Sequence, residues 1–237
     1  MSAAVLPLLI VASAEASFVS ALYNGYGAYE THRAGFSASQ SWDSTASVTL
    51  YNLKLAEHNW TVKGEAVTGW CVQIFQGLTA GTTYEFEVVA AEMVPQAPPA
   101  PGPMGITKAN LLRDAAARWL AADGRVVASA GNANAAASAF ATLLWEITHE
   151  NLGTDDLATA RDRLSLAMGA FRAELTGEAA TIYGAMVSSL GAGGWQTAEL
   201  EGWRNGQVQD QIRLVPAPGA VVLLGLAAGG FARRRRR

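Results

Sequence analysis

Tyr84-Glu85-Phe86-Glu87-Val88, preceded by Trp70-Cys71-Val72-Gln73-Ile74-Phe75, places an apolar or aromatic residue at every second position. A period of two is the spacing of a strand with one buried face. Val48 and Leu50, alternating with Thr49 and Tyr51, carry the pattern upstream, so about Ser47 to Ala91 reads as antiparallel sheet. Between the two quoted runs, Gly77-Leu78-Thr79-Ala80-Gly81 predicts a hairpin-like connection.

Working outward, five prolines fall between Pro95 and Pro103 and predict a stiff surface loop that ends the β-rich part. The period then changes to that of helices. Thr107 is placed to cap a first helix carrying Leu111, Leu112, Ala115, Ala116, Trp119 and Leu120 on one face, ended by Asp123-Gly124. A second helix runs from Ala135 to about Thr148, and a third from about Gly177 to Leu190. Asp155 to Arg163 reads as a loop or short turn, and Trp195 to Leu214 as a closing strand-like segment with a turn at Asn205-Gly206. The expected class is α+β: an antiparallel β-sheet region, then a helical region over 106–190, plus a short hydrophobic helix at the C-terminus. One extracytoplasmic domain is expected over 17–214, β-rich to about 94, with the loop at 95–103. No period of twenty to fifty residues repeats, which argues against a solenoid.

Half of the 237 residues are apolar, enough for one core, and 16% are charged. Five of the seventeen basic residues form the run Arg233 to Arg237, which leaves twelve against twenty acidic residues in the rest. A body this acidic, with no basic face, argues against nucleic acid as a partner. The lone cysteine, Cys71, excludes an intramolecular disulfide and a structural zinc framework.

Both ends carry transport-like patterns. Ala3 to Ala14 is an apolar stretch of signal-peptide length, and Ala14-Glu15-Ala16 fits small-x-small cleavage before Ser17, although no Lys or Arg precedes Arg33. Residues 1–16 are therefore expected to be a signal peptide read by the Sec machinery. At the other end, Val215-Pro216-Ala217-Pro218-Gly219 leads into the apolar run Ala220 to Ala232 and then the arginines. Thirteen apolar residues rise only about 20 Å as a helix, so a span of the roughly 30 Å hydrocarbon core needs the stretch back to Val215. The arginines hold that end on the cytoplasmic side.

This arrangement of Pro-x-Pro, short hydrophobic helix and basic cluster resembles the PEP-CTERM sorting signal of Gram-negative bacteria. The resemblance covers 215–237 and assigns the sorting motif to Val215, Pro216, Pro218, Arg233, Arg234 and Arg235, with Ala217 where the family has Glu. It implies an exosortase as partner, a transient hold in the inner membrane through the tail, and release toward the cell surface or exopolysaccharide. A plain tail anchor is the alternative.

Within the body, the helix from Ser138 to Asn151, with Phe140 and Trp145-Glu146-Ile147, resembles a helix of many PEP-CTERM proteins. More distantly, it resembles the Thr-Gln-x-Ala-x-Trp helix of thioester-type adhesin domains, and Trp70-Cys71-Val72 is similar to their cysteine motif. In those domains a Cys thiol attacks a Gln amide. The equivalent of that Gln is Ala141, so the resemblance implies a packing role for Cys71, with covalent adhesion through Cys71 as the alternative reading. Gln73 and Gln76 lie on the cysteine's own strand region.

Catalytic signals are weak. His32, His58 and His149 are scattered, and no nucleophile elbow or paired-histidine zinc motif is present. Glu146 and His149 share a helix face, a pattern of acid/base or metal pairs and, more commonly, of polar helix ends. Asp155-Asp156 beside Glu150 and Asn151 lacks calcium-loop spacing. The expectation is an exported, non-enzymatic envelope or matrix protein with no catalytic, cofactor or metal residues; a secreted hydrolase using Glu146, His149 or Asp155 is a further alternative.

Overall fold

The computed structural model describes residues 17–129 and 131–215. Seven strands, all antiparallel, and four helices make up these residues, as the α+β reading expects. The strands are β1 (Ser17–Phe36), β2 (Tyr51–Val62), β3 (Glu65–Cys71), β4 (Thr83–Ala90), β5 (Phe171–Glu174), β6 (Leu200–Arg204) and β7 (Gln211–Leu214).

The sheet closes on itself. Its order is β2-β3-β7-β6-β4-β1-β5, and β1 also pairs with β2, so six strands form a ring while β5 continues the far end of β1. Register carries one face around that ring: Tyr23 opposes Trp60, Trp60 opposes Val67, Cys71 opposes Gln211, Gln211 opposes Trp203, Trp203 opposes Val88, and Phe86 opposes Val19. Closure turns that face inward, where Tyr23, Trp60, Phe86 and Trp203 pack tilted, edge to face or stacked as an aromatic plug. β2 and β3 form a tight hairpin across Lys63-Gly64, both at positive φ as a two-residue turn demands.

The hairpin expected at Gly77 to Gly81 does not form, because β3 lies between β2 and β7 whereas β4 lies between β1 and β6. The connecting loop docks on β1 instead. Gly81 N–H donates to the Tyr23 carbonyl (2.8 Å), Tyr23 N–H donates to the Thr82 carbonyl (2.9 Å), and Thr79 N–H donates to the Tyr84 hydroxyl (2.8 Å). Strand boundaries also shift: β3 ends at Cys71, so the alternation through Phe75 continues outside the ladder, and Val48 to Leu50 precede β2.

β1, the longest strand, lies in a stretch whose sequence showed no element. Its alternation is broken by two bulges, one between Tyr23 and Gly25 and one between Tyr26 and Tyr29. Three steps from Tyr26 to Tyr29 match two steps from His58 to Ala56 on β2. The extra residue puts both tyrosines on one face, ring centroids 5.8 Å apart, where unbroken alternation would oppose them. The buried Glu57 carboxylate accepts the Ala28 N–H freed by this bulge (3.0 Å), and it lies where a Cβ at Gly27 would be, 2.1 Å from Oε1.

The helices are α1 (Gly105–Trp119), α2 (Ala133–His149), α3 (Leu157–Asp162) and α4 (Gly177–Ser189). α2 is buried from Ala135 to His149, with Ser138, Thr142, Glu146, Thr148 and His149 enclosed beside its apolar residues, and packs on β1, β2 and α4. Thr107 lies within α1 and caps nothing; its hydroxyl donates to Asp155. The 155–163 stretch contains α3, whose first turn is capped by the Asp156 carboxylate accepting Thr159 N–H (2.8 Å). On α1, buried Asp114 pairs with Arg118 one turn on and accepts the N–H groups of Gly191 and Gln196, fixing the loop after α4. Burial pushes the Asp114 carboxyl up, yet Arg118 and those two N–H groups outweigh it and hold the group below its usual value.

Candidate functional site

The two motifs that lie far apart in sequence meet in space. Cys71 ends β3, and its carbonyl accepts the Trp145 indole N–H of α2 (2.8 Å). Trp70, on the opposite face of β3, packs against Phe140 with ring centroids 4.7 Å apart. Cys71, Ala141 and Trp145 line one cavity of about 220 Å³. From α2, Ala141 presents a methyl group to this cavity beside the Trp145 ring.

The thiol is held as a structural group. Cys71 is 4% exposed; its Sγ donates to the Gln73 carbonyl (2.7 Å) and receives the Gln73 N–H (3.3 Å). Burial pushes the thiol up to about 12, so the nucleophilic thiolate is scarce at neutral pH. Gln73 turns its side chain away, accepting Asp210 N–H (2.9 Å) and donating to the Gln96 carbonyl (3.0 Å). Gln76 and Gln209 line the cavity with Cys71, and Gln209 donates to the same Gln73 carbonyl (3.2 Å).

His58, Ala56 and Lys54 follow one another along the inward face of β2 toward the cavity mouth, where Tyr26 is 45% exposed. His58 is 3% exposed, packs beside Tyr23 and Tyr26, and has no hydrogen-bond partner for Nδ1. Burial pushes its imidazole down to about 4 against the opposing hydrogen bond of the Gln211 side chain, so it is neutral at physiological pH. Lys54 Nζ lies 4.7 Å from the Tyr26 ring centroid and 5.0 Å from that of Tyr29. The scattered-histidine reading of the sequence missed His58, because a barrel interior was not foreseen; its place on the period of Trp60 was the available signal.

The carboxylate and histidine candidates are not brought together. Glu146 accepts Ser165 N–H (2.6 Å) and lies near Tyr183; burial, with Glu150 adding to it, raises its carboxyl well above the usual range despite that N–H. His149 bonds the Trp145 carbonyl through Nδ1 and sits among Phe36, Trp145 and Phe171, where burial pushes it down to about 3. Glu150 accepts the N–H groups of Ala170 and Phe171 at the start of β5, and Asp155 and Asp156 are occupied by Thr107 and α3. Among the described residues, no three His, Cys, Asp or Glu side chains converge as a metal site.

Of the residues expected to form a sorting motif, Val215 is described: its N–H donates to the Glu199 carbonyl (2.9 Å), extending the β6–β7 ladder by one bond. Pro216, Pro218, Arg233, Arg234, Arg235 and the expected cleavage residues Ala14 and Ala16, with the expected C-terminal hydrophobic helix, lie outside the described residues. No described helix is long and apolar enough to cross a membrane.

Two larger cavities have lining groups largely occupied by the fold. One of about 530 Å³ lies between 47–50, β5 and α4, where Arg172 donates to the Ser44 carbonyl and Glu174 pairs with Arg33. The other, about 470 Å³, lies between the start of α1 and 151–155, where Lys108 donates to the Thr148 carbonyl.

What the fold defines is an α+β protein in which an antiparallel barrel is packed on a buried central helix. No protein-family model, curated protein or solved structure matches the chain.

Proposed function

We propose that the chain is an exported, non-enzymatic cell-envelope or extracellular-matrix protein, delivered by the Sec machinery and sorted by an exosortase through its PEP-CTERM-like tail. The observation that carries this reading is the pair of terminal patterns: the apolar Ala3 to Ala14 with Ala14-Glu15-Ala16 before Ser17, and Val215-Pro216-Ala217-Pro218-Gly219 followed by an apolar run and five arginines. Among the described residues, the six strands of the ring lie between Ser17 and Leu214. The non-enzymatic part is supported by Cys71, Glu146, His149 and Asp155, each of which is engaged in holding local structure.

The test is fractionation of the native host with mass spectrometry of both termini. The expected mature chain starts at Ser17, lacks the arginine run, and is found at the surface or outside the cell. A chain still ending in Arg237 in the inner membrane would overturn sorting and leave a tail anchor. The same spectra read Cys71, since a body lighter by one ammonia would favour the covalent adhesin.

A further inference from the structure

We infer that the cavity between β2, β3 and α2 binds one uncharged sugar ring, with the next unit of the same glycan lying along Tyr26 and Tyr29. This narrows the matrix-facing reading to a ligand class, and its test uses purified protein, so the fate of the tail does not decide it.

Size comes first. At about 220 Å³ the cavity is below the roughly 300–1,000 Å³ of drug-sized sites and suits a single ring. Two polar atoms of its lining residues, His58 Nδ1, on a side chain 3% exposed, and Gln76 Oε1, are buried without hydrogen-bond partners among the described residues. Buried polar groups in native proteins are ordinarily paired, so hydroxyls that both donate and accept are the complement of this lining. The Gln76 amide donates to the Gly206 carbonyl (3.5 Å) and that of Gln209 to the Gln73 carbonyl (3.2 Å), which leaves their oxygens as acceptors for such hydroxyls.

Charge narrows the ligand further. Among the described residues, Lys54 is the one cationic side chain at the mouth and lies over the two tyrosine rings, and no carboxylate lines the cavity. A charged ligand would lose its hydration without gaining a counter-charge inside. The aromatic part completes the class. The bulge turns Tyr26, at the cavity mouth, and its neighbour Tyr29 to one side, giving two half-exposed rings tilted 51° to each other, with Lys54 Nζ over one face of each. Sugar rings present polar edges and apolar C–H faces, which matches amides within and aromatic rings at the rim.

The experiment is saturation-transfer NMR on the full-length chain, held in a detergent without a sugar headgroup. Its probes are the methyl glycosides of glucose, galactose, mannose and N-acetylglucosamine, with methyl glucuronoside as the charged control. At least one neutral glycoside is expected to show transfer, with affinity falling tenfold or more in Gln76→Ala and in Gln209→Ala. Both positions are half-buried, so these variants keep the test decisive where His58→Ala fails to fold. Absence of transfer from every neutral glycoside, transfer unchanged in both variants, or binding of the glucuronoside alone would overturn the assignment.

Discussion

Cys71, Glu146 and His149 share one lesson: burial converts reactive side chains into structural ones. Glu146 gives the sharpest consequence. Its folded carboxyl titrates well above its unfolded value, so its contribution to stability is fully present below about pH 4.5 and is lost as pH rises toward the folded value. Glu146→Gln, which still offers Ser165 an acceptor, should therefore gain on the parent by roughly 1.4 kcal/mol per pH unit above pH 4.5, until the folded group ionises. Urea titrations of both proteins from pH 4 to 8 measure this, and a pH-independent difference would rule out a buried neutral acid. The sequence placed Glu146 and His149 on one helix face, yet spacing along a helix is silent about neighbours from elsewhere. Ser165, Tyr183 and Phe171 decided the outcome, and all three come from later in the chain.

At the scale of elements, what could be read depended on whether the period survived. α2 and α4 kept theirs, and the expected spans agree with Ala133–His149 and Gly177–Ser189 to within a few residues. β4 was legible for the same reason. β1 was not, because two extra residues break its alternation, and its small and polar residues give no apolar run. α3 was too short for a periodic signal and depends on the Asp156 cap. The Tyr26–Tyr29 bulge rests on a reciprocal pair, Glu57 filling the space that Gly27 leaves. Gly27→Ala should destabilise by about 1–3 kcal/mol through that overlap. Glu57→Ala should also destabilise, by leaving the Ala28 N–H unpaired. The double variant should cost less than the two singles together, since the new methyl then meets no carboxylate; additive costs in denaturant titrations would contradict the pairing.

For the whole molecule, the α+β class was legible and the closure of the sheet was not. Closure depends on pairings such as Trp70 with Ile212 and Ser17 with Val88, which join segments far apart in sequence. Hydrophobic patterns identify a strand's buried face without naming its neighbour. Because every strand of the described ring and every described helix lies within 17–215, a chain limited to those residues should unfold cooperatively with the full-length midpoint. Thermal melts followed by circular dichroism test this, and a non-cooperative melt would show that a flanking segment supports the fold.

The strand order also sets a clock. β7, last to be made, is inserted between β3 and β6, and Asp210 must return to Gln73, 137 residues earlier, before the ring is shut. Until then both neighbouring strands present open edges, and the long loop to be closed makes early pairing slow. For a chain exported as proposed, this keeps the polypeptide threadable while it crosses the membrane. On that proposal the barrel locks only when Leu214 emerges, and by then the tail alone is left in the membrane.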